Sequence, residues 1–189
     1  MKRQTMLGTG FKCLGAGALL WAAVAPWALA GPEQETALAE KEFARGDLVA
    51  STKLWVKAAQ QGYAPAQARL GDILDVSEED EQAVEWYRKA ALQGNAAGEY
   101  GLGQMYAKGE GVKKDDEQAR AHILKAAEKN YIDAVSTLIG AYRTGAIGFP
   151  VDNAKAEAWE VKMGVISPGY KTAEALAKGK ETAKKGSAK

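Results

Sequence analysis

The chain offers few residues for catalysis, because its 189 residues include one histidine and one cysteine. A nucleophilic site needs a nucleophile beside its base, and a Cys/His zinc site needs several such ligands. His122 occupies a position that Leu54, Trp86 and Trp159 fill in related segments, so we expect it to pack or to form a hydrogen bond. No carboxylate pair and no Ser/His or Cys/His pair stands out. The sequence therefore predicts a protein that is not an enzyme and holds no cofactor or metal.

Two further patterns could suggest ligand binding. The acidic run Glu78-Glu79-Asp80-Glu81 lacks EF-hand spacing and precedes a predicted helix, so first-turn capping explains it better. The loop Gly109-Glu110-Gly111 lacks the lysine and Ser/Thr of a P-loop and follows no strand. Neither pattern predicts a cation or phosphate site.

Residues 1–30 have the pattern of a secretory signal peptide. Three basic residues precede the run Leu14–Ala25, which contains only apolar residues and glycine, and Ala28-Leu29-Ala30 resembles a cleavage site. We expect cleavage after Ala30, by the general secretory route, and a location in the periplasm or outside the cell. An uncleaved anchor is the alternative, since residues 13–32 carry no charge.

Removal of this segment changes the charge and the cysteine content. The chain carries 25 Lys plus Arg against 24 Asp plus Glu, and the shortened chain would carry 22 against 24. A lysine precedes Cys13, which does not fit a lipoprotein signal, and the cleaved chain would lack cysteine altogether. Its fold would then depend on packing alone, which a hydrophobic fraction of 47% permits in one domain.

The remainder of the chain contains an internal repeat. One segment recurs after 32 and then 36 residues, as Lys57–Gly62, Lys89–Gly94 and Lys125–Asn130. Each copy is followed by a second recurring segment, Ala68–Leu74, Tyr100–Tyr106 and Ser136–Tyr142. A fixed period of 20 to 50 residues with apolar positions at helical spacing indicates stacked helical hairpins.

The pattern predicts eight helices, near residues 35–45, 48–61, 64–75, 80–93, 96–108, 116–129, 132–144 and 153–163. Gly62, Gly94 and Asn130 fall where a helix must end with a positive φ. Asp115-Asp116 and Asp152-Asn153 should cap helix N-termini. Alanines at fixed positions let helices approach closely, and we expect Ala91→Leu to cost about 1–3 kcal/mol by overcrowding.

The chain resembles the Sel1-like repeat family, which is related to the tetratricopeptide repeats. The matching pattern is A-x-x-W-Y-x-K-A-A-x-x-G followed by A-x-x-x-L-G-x-M-Y-x-x-G-x-G-V, clearest from Ala83 to Val112. The resemblance extends from about Ala37 to Met163. It implies an all-α fold, an α/α solenoid of about four stacked hairpins in residues 31–167.

The resemblance also implies where a partner would bind. In tetratricopeptide proteins the first helix of each hairpin lines a groove, and the outward positions of the matching helices here are Asp72, Tyr100, Gln104, Lys108, Ser136 and Arg143. These side chains mix an aromatic ring, an amide and both charges. That mixture is typical of polar peptide recognition, so we expect a monomer that holds a protein or peptide partner in the cell envelope.

Charge is distributed unevenly along the chain. Residues 31–167 contain 16 basic and 22 acidic residues, whereas residues 168–189 contain six lysines and two glutamates. The basic tail is interpreted as a solvated terminus, with weak contact to an anionic surface as the functional alternative. The acidic body argues against nucleic-acid binding.

The sequence thus favours an exported, non-enzymatic interaction scaffold or adaptor of the bacterial cell envelope. Two alternatives stay open. One is a β-lactam-binding, hydrolase-like repeat protein, although the relatives proposed for that role are rich in disulfides. The other is an envelope-associated regulator or secreted effector held by its basic tail.

Overall fold

The computed structural model of the protein describes residues 31–170. The expected signal peptide and residues 171–189 of the basic tail lie outside the described residues. The described part of the chain contains eight α-helices and no strand. They are α1 (Pro32–Ala44), α2 (Leu48–Gln60), α3 (Ala64–Val76), α4 (Asp80–Leu92), α5 (Ala96–Lys108), α6 (Asp116–Glu128), α7 (Ile132–Thr144) and α8 (Asn153–Ile166).

Consecutive helices pair as four hairpins, α1/α2, α3/α4, α5/α6 and α7/α8. Among the odd-numbered helices, α3 contacts both α1 and α5, so the three form one layer of the stack. The predicted all-α solenoid of four hairpins is confirmed, and each predicted helix end lies within three residues of the observed one. A short 3₁₀ turn, Ala146–Gly148, precedes α8.

Helix N-termini are capped where aspartate was expected. The Asp115 carboxylate accepts hydrogen bonds from the backbone N–H groups of Glu117 and Gln118, and Asp152 caps α8 in the same way. The backbone hydrogen bond from Lys155 lowers the pKa of Asp152. The acidic run before α4 behaves differently. Its residue Glu79 makes no capping bond and instead accepts from the side chain of Gln82.

Helix C-termini end as the sequence predicts. Gly62, Gly94 and Asn130 follow α2, α4 and α6 with φ values of 88°, 75° and 64°. Glu78 takes the same backbone conformation after α3, with φ of 61°. Since a side chain is strained in this region, the glycines and the asparagine are the residues that suit these turns.

The core is divided along the stack rather than gathered in one place. Three clusters of buried apolar residues lie between α2 and α3, between α4 and α5, and among α6, α7 and α8. Ala90 is fully buried where α4 approaches α5 closely, since a Cβ on Gly98 would meet the Ala90 methyl group. Ala91, which was expected to occupy the crowded position, is only partly buried. Each hairpin therefore buries its apolar surface against its neighbours, as in other solenoids.

Candidate functional site

An open groove of about 420 Å³ lies over α3, α5 and the start of α7. Four of the six predicted partner-binding residues line it, namely Asp72, Tyr100, Gln104 and Lys108. The other lining residues are Arg69, Asp75, Tyr87, Ala97, Gly101, Tyr131 and Asp133. The helical spacing of 100, 104 and 108 places these three residues on one face of α5.

The remaining two predicted residues do not line the groove. Ser136 is exposed on α7, and the Arg143 guanidinium forms an ion pair with the buried Glu160 carboxylate of α8. Arg143 therefore links the two helices of the last hairpin.

Tyr87 reaches the groove from α4, on the other layer of the stack. Its ring lies against Gly71 of α3 and Gly101 of α5, where a Cβ atom would come within 2.7 Å of ring carbons. The two glycines open a channel through which the phenol hydroxyl donates a 2.9 Å hydrogen bond to the Asp72 carboxylate. The glycines of the repeat thus serve the groove as well as helix packing.

Tyr100 connects α5 to α7 at the groove wall. Its hydroxyl lies 3.0 Å from the Thr137 hydroxyl and accepts a hydrogen bond from the Gln104 side chain. Its ring packs against the Tyr131 ring with 5.3 Å between centroids. The ring positions of Tyr100 and Tyr131 are therefore fixed by contacts within the protein.

The two cations of the groove are paired with carboxylates both inside and outside its lining. The Arg69 guanidinium contacts Glu40 at 3.2 Å and Asp72 at 3.5 Å, and it lies over the Trp55 ring. The Lys108 ammonium lies 2.8 Å from the Glu110 carboxylate, whose hydrogen bond raises the pKa of Lys108.

Burial raises the pKa of three acidic groups that line the groove, those of Asp72, Tyr87 and Tyr131. Desolvation raises the pKa of the Asp72 carboxyl above its ordinary value, although the Tyr87 hydroxyl and Arg69 act in the opposite direction. Desolvation also raises the pKa of Tyr131 to about 12, with the Asp133 charge adding to the shift. The hydrogen bond from Tyr87 and the charge of Arg69 therefore do not fully offset the desolvation of the ionised Asp72 carboxylate.

A second, apolar pocket of about 380 Å³ adjoins this groove, and it was not predicted from the sequence. Phe43, Leu48, Trp55, Ile73 and Val76 supply its apolar surface. Arg69 and Asp72 line both pockets, so the two form one continuous surface. Phe43, Leu48 and Val76 are 48%, 59% and 85% exposed, so the pocket presents three large apolar side chains together at the surface.

The structure also contains a row of buried polar side chains inside the stack that was not predicted from the sequence. Glu35, Gln67 and Glu99 occupy equivalent positions 32 residues apart on α1, α3 and α5, and each is less than 10% exposed. Glu35 accepts a 2.8 Å hydrogen bond from Gln61, and Gln67 accepts one of 2.7 Å from Gln93. The 32-residue spacing of these polar residues was the signal that could have revealed them.

His122 belongs to this row as the partner of Glu99. Its Nδ1 atom lies 2.6 Å from the Glu99 carboxylate, and its ring stacks on Tyr106 with 5.8 Å between centroids. The expectation that His122 packs and forms a hydrogen bond is confirmed.

Within residues 31–170, no group of three or more potential ligands is placed to hold a metal ion. No helix in the same range has the length and apolar character needed to cross a bilayer.

Four stacked helical hairpins with a polar groove along one layer define a helical-repeat solenoid. The Sel1 repeat family model matches residues 64–95 and 96–131, which correspond to the hairpins α3/α4 and α5/α6. Residues 64–131 therefore contain two Sel1 repeats, and the predicted resemblance to the Sel1-like repeat family is confirmed. Sel1 repeats generally mediate protein–protein interactions.

Solved structures that resemble the chain include two at 30% identity or more. One is a Sel1 repeat protein from Oxalobacter formigenes, with 30% identity and a TM-score of 0.59 over 72% of this chain and 41% of that one. The other is a protective antigen of uropathogenic Escherichia coli strains that displays an SLR fold. It has 32% identity and a TM-score of 0.60 over 77% of this chain and 35% of that one. Both likenesses support the repeat fold.

Curated proteins are also similar to the chain, and they include one named as a regulatory factor and one named as a negative regulator. The chitin synthase regulatory factor 3 of Schizosaccharomyces pombe is 32% identical over 117 residues, which cover 58% of this chain and 12% of that protein. The exopolysaccharide production negative regulator of Rhizobium leguminosarum bv. viciae is 31% identical over 97 residues, covering 46% and 36%. The chain thus spans about a third or less of the length of each.

Proposed function

We propose that the protein is an exported, non-enzymatic scaffold that holds a peptide segment of a cell-envelope partner in the groove over α3 and α5. The observation that carries this proposal is the convergence of Asp72, Tyr100, Gln104 and Lys108 on one open groove. These groups offer hydrogen-bond donors, acceptors and aromatic surface together, which suits the recognition of a polar peptide.

The proposed location depends on residues 1–30, whose basic start, apolar run and Ala28-Leu29-Ala30 ending are typical of a signal peptide. Expression of the full chain in a bacterium should therefore release a periplasmic or secreted form that begins at Gly31. Cell fractionation followed by N-terminal sequencing measures this directly. A membrane-bound product that still starts at Met1 would contradict export by cleavage and favour the uncleaved anchor.

Site-directed photocrosslinking tests the groove. A benzoylphenylalanine at position 104 should capture a partner in the native envelope, because Gln104 lines the groove. The matched control is the same residue at position 157, an exposed site on α8 that lies outside the groove. Positions 136 and 143 test whether the binding surface continues over α7.

The two outcomes are clearly separated. Capture from position 104 and not from position 157 supports the groove as the binding surface. Capture from position 157 alone would place the partner on the α8 side and refute the groove assignment.

A second candidate function is regulation of an envelope process. It is favoured by the two similar curated proteins, which are named as a regulatory factor and as a negative regulator of exopolysaccharide production. A regulator would also act by binding a partner, so this role specifies what the binding achieves. Deletion of the gene should then change the amount of a surface polysaccharide, measured against a complemented strain.

A further inference from the structure

The groove and the apolar pocket form one surface with two chemically different halves. The polar half contains Tyr100 and Tyr131, together with the carboxylates of Asp72, Asp75 and Asp133. The apolar half contains the exposed side chains of Phe43, Leu48 and Val76. Arg69 and Asp72 lie at the boundary, because they line both halves.

The charges in the polar half are unbalanced towards the negative. Its two cations are shared among four carboxylates, since Arg69 contacts Glu40 as well as Asp72, and Lys108 contacts Glu110 as well as Asp75. Asp133 has no ion-pair partner among the described residues, and the nearest ammonium to Asp75 is that of Lys108, 3.9 Å away. A bound cation would therefore gain attraction from carboxylates that the protein leaves incompletely neutralised.

The aromatic rings favour the same kind of ligand. Tyr100 and Tyr131 present neighbouring rings in the polar half, and their faces carry partial negative charge that attracts ammonium and guanidinium groups. Burial also raises the pKa of Asp72, which means that its ionised carboxylate is poorly solvated in the groove. A ligand cation beside this carboxylate would stabilise its ionised form.

Building on the proposed peptide-binding function, we propose that the groove recognises a partner peptide that combines a lysine or arginine with a large apolar side chain. The cation enters between Asp72, Asp133 and the rings of Tyr100 and Tyr131. The apolar side chain enters the pocket beside Phe43, Ile73 and Val76. An acidic peptide is disfavoured, because it would place carboxylates against Asp72 and Asp133 without a free cation to receive them.

The adjoining halves also predict the spacing in the peptide. Arg69 and Asp72 line both halves, so the two halves meet at these side chains. In an extended peptide, side chains two residues apart point the same way and lie about 7 Å apart. The basic and the apolar residue should therefore be separated by one intervening residue.

Selection from a phage-displayed dodecapeptide library on the purified full chain tests this inference. The expected result is enrichment of Lys or Arg two positions away from Leu, Ile, Met, Phe or Trp. Selected peptides are then synthesised and titrated by fluorescence polarisation at two salt concentrations. Binding should weaken as the salt concentration rises, because part of the attraction is between charges.

The decisive variants are Asp72→Asn and Asp133→Asn, singly and together. Both changes remove a charge while keeping size. The amide oxygen that Asp72→Asn introduces can still accept the hydrogen bond from the Tyr87 hydroxyl, so the fold is preserved. The double variant should lose about tenfold in affinity, which corresponds to about 1.4 kcal/mol. Glu157→Gln, on the exposed face of α8, is the charge-matched control and should bind as the wild type does.

Failure of this inference can be told apart from failure of the proposed function. Selected peptides that are acidic or uncharged, or that bind the double variant as tightly as the wild type, overturn the basic-apolar assignment while peptide binding stands. No enrichment, together with no photocrosslink from position 104, overturns both. Displacement of the selected peptides by a synthetic peptide of residues 171–189, which is rich in lysine, would assign the groove to the chain's own tail and overturn the external partner.

Discussion

Replacement of Gly101 by alanine should destabilise the protein, although alanine favours helix. Gly101 lies inside α5, and a Cβ atom there would come within 2.6 Å of three ring atoms of Tyr87. Non-bonded carbon atoms normally lie about 3.5–4.0 Å apart, so the ring would have to move by about 1 Å. That movement would pull the phenol hydroxyl away from the Asp72 carboxylate, to which it now donates.

The expected magnitude follows from three contributions. Alanine in place of glycine stabilises a helix interior by about 0.5–1 kcal/mol. Overpacking against a ring held between two helices costs about 1–3 kcal/mol, and loss of the hydrogen bond costs about 1 kcal/mol more. The net change is a decrease of about 1–3 kcal/mol in the free energy of unfolding.

Urea denaturation followed by circular dichroism measures this change. Gly140→Ala is the matched control, because Gly140 lies inside α7 and a Cβ there would meet nothing within 4 Å. It should stabilise the protein by about 0.5–1 kcal/mol, so the two substitutions have opposite signs. In a Tyr87→Ala background, Gly101→Ala should become stabilising as well. Stabilisation by Gly101→Ala in the wild-type background would refute the proposed role of the glycine.

Three further predictions concern the groove, the buried polar row and the tail. Desolvation raises the pKa of Asp72 in the folded state. At a pH just above the ordinary pKa of an aspartate, the folded protein therefore still holds a proton that the unfolded chain has released. At higher pH Asp72 is ionised in both states, and its charge disfavours folding. The stability of Asp72→Asn relative to the wild type should therefore increase between about pH 3 and about pH 7, and a difference independent of pH would contradict this. Glu99→Val and His122→Leu should each cost about 1–3 kcal/mol by leaving the partner unpaired, whereas the double variant should cost less than their sum in a double-mutant cycle. The two interpretations of the basic tail predict different results in sedimentation with anionic lipid vesicles at low salt. Contact with an anionic surface predicts binding that is lost on deletion of residues 171–189 with their six lysines, whereas a solvated terminus predicts that the deletion has no effect.

Part of the site could be predicted because it depends on position within a single helix. Tyr100, Gln104 and Lys108 share one face of α5 through their spacing alone, and Asp72 occupies the position equivalent to Gln104 one repeat earlier. Arg143 did not join them in the groove, because Glu160 on α8 lies within reach of its guanidinium and holds it there. A repeat pattern identifies equivalent positions, but it does not identify the side chain that faces each one across the next hairpin.

Other residues of the site could not be predicted from helix position. Tyr87 belongs to the opposite layer of the stack and reaches Asp72 only because Gly71 and Gly101 leave room for its ring. Tyr131 is the residue before α7, outside the repeated helical face on which the prediction was based. The apolar pocket combines α1, α2 and α3, so it exists only once these three helices are stacked.

The sequence by itself determined the helices, their ends and their pairing into four hairpins. These features follow from local rules, since periodicity, aspartate caps and residues with positive φ act within one or two turns of the chain. The tertiary structure alone decided which side chains meet across hairpins, including the Glu99–His122 pair and the joining of a polar with an apolar half at Asp72. The physical reason is that such contacts depend on the angle and distance between stacked hairpins, which are set by the combined packing of many side chains.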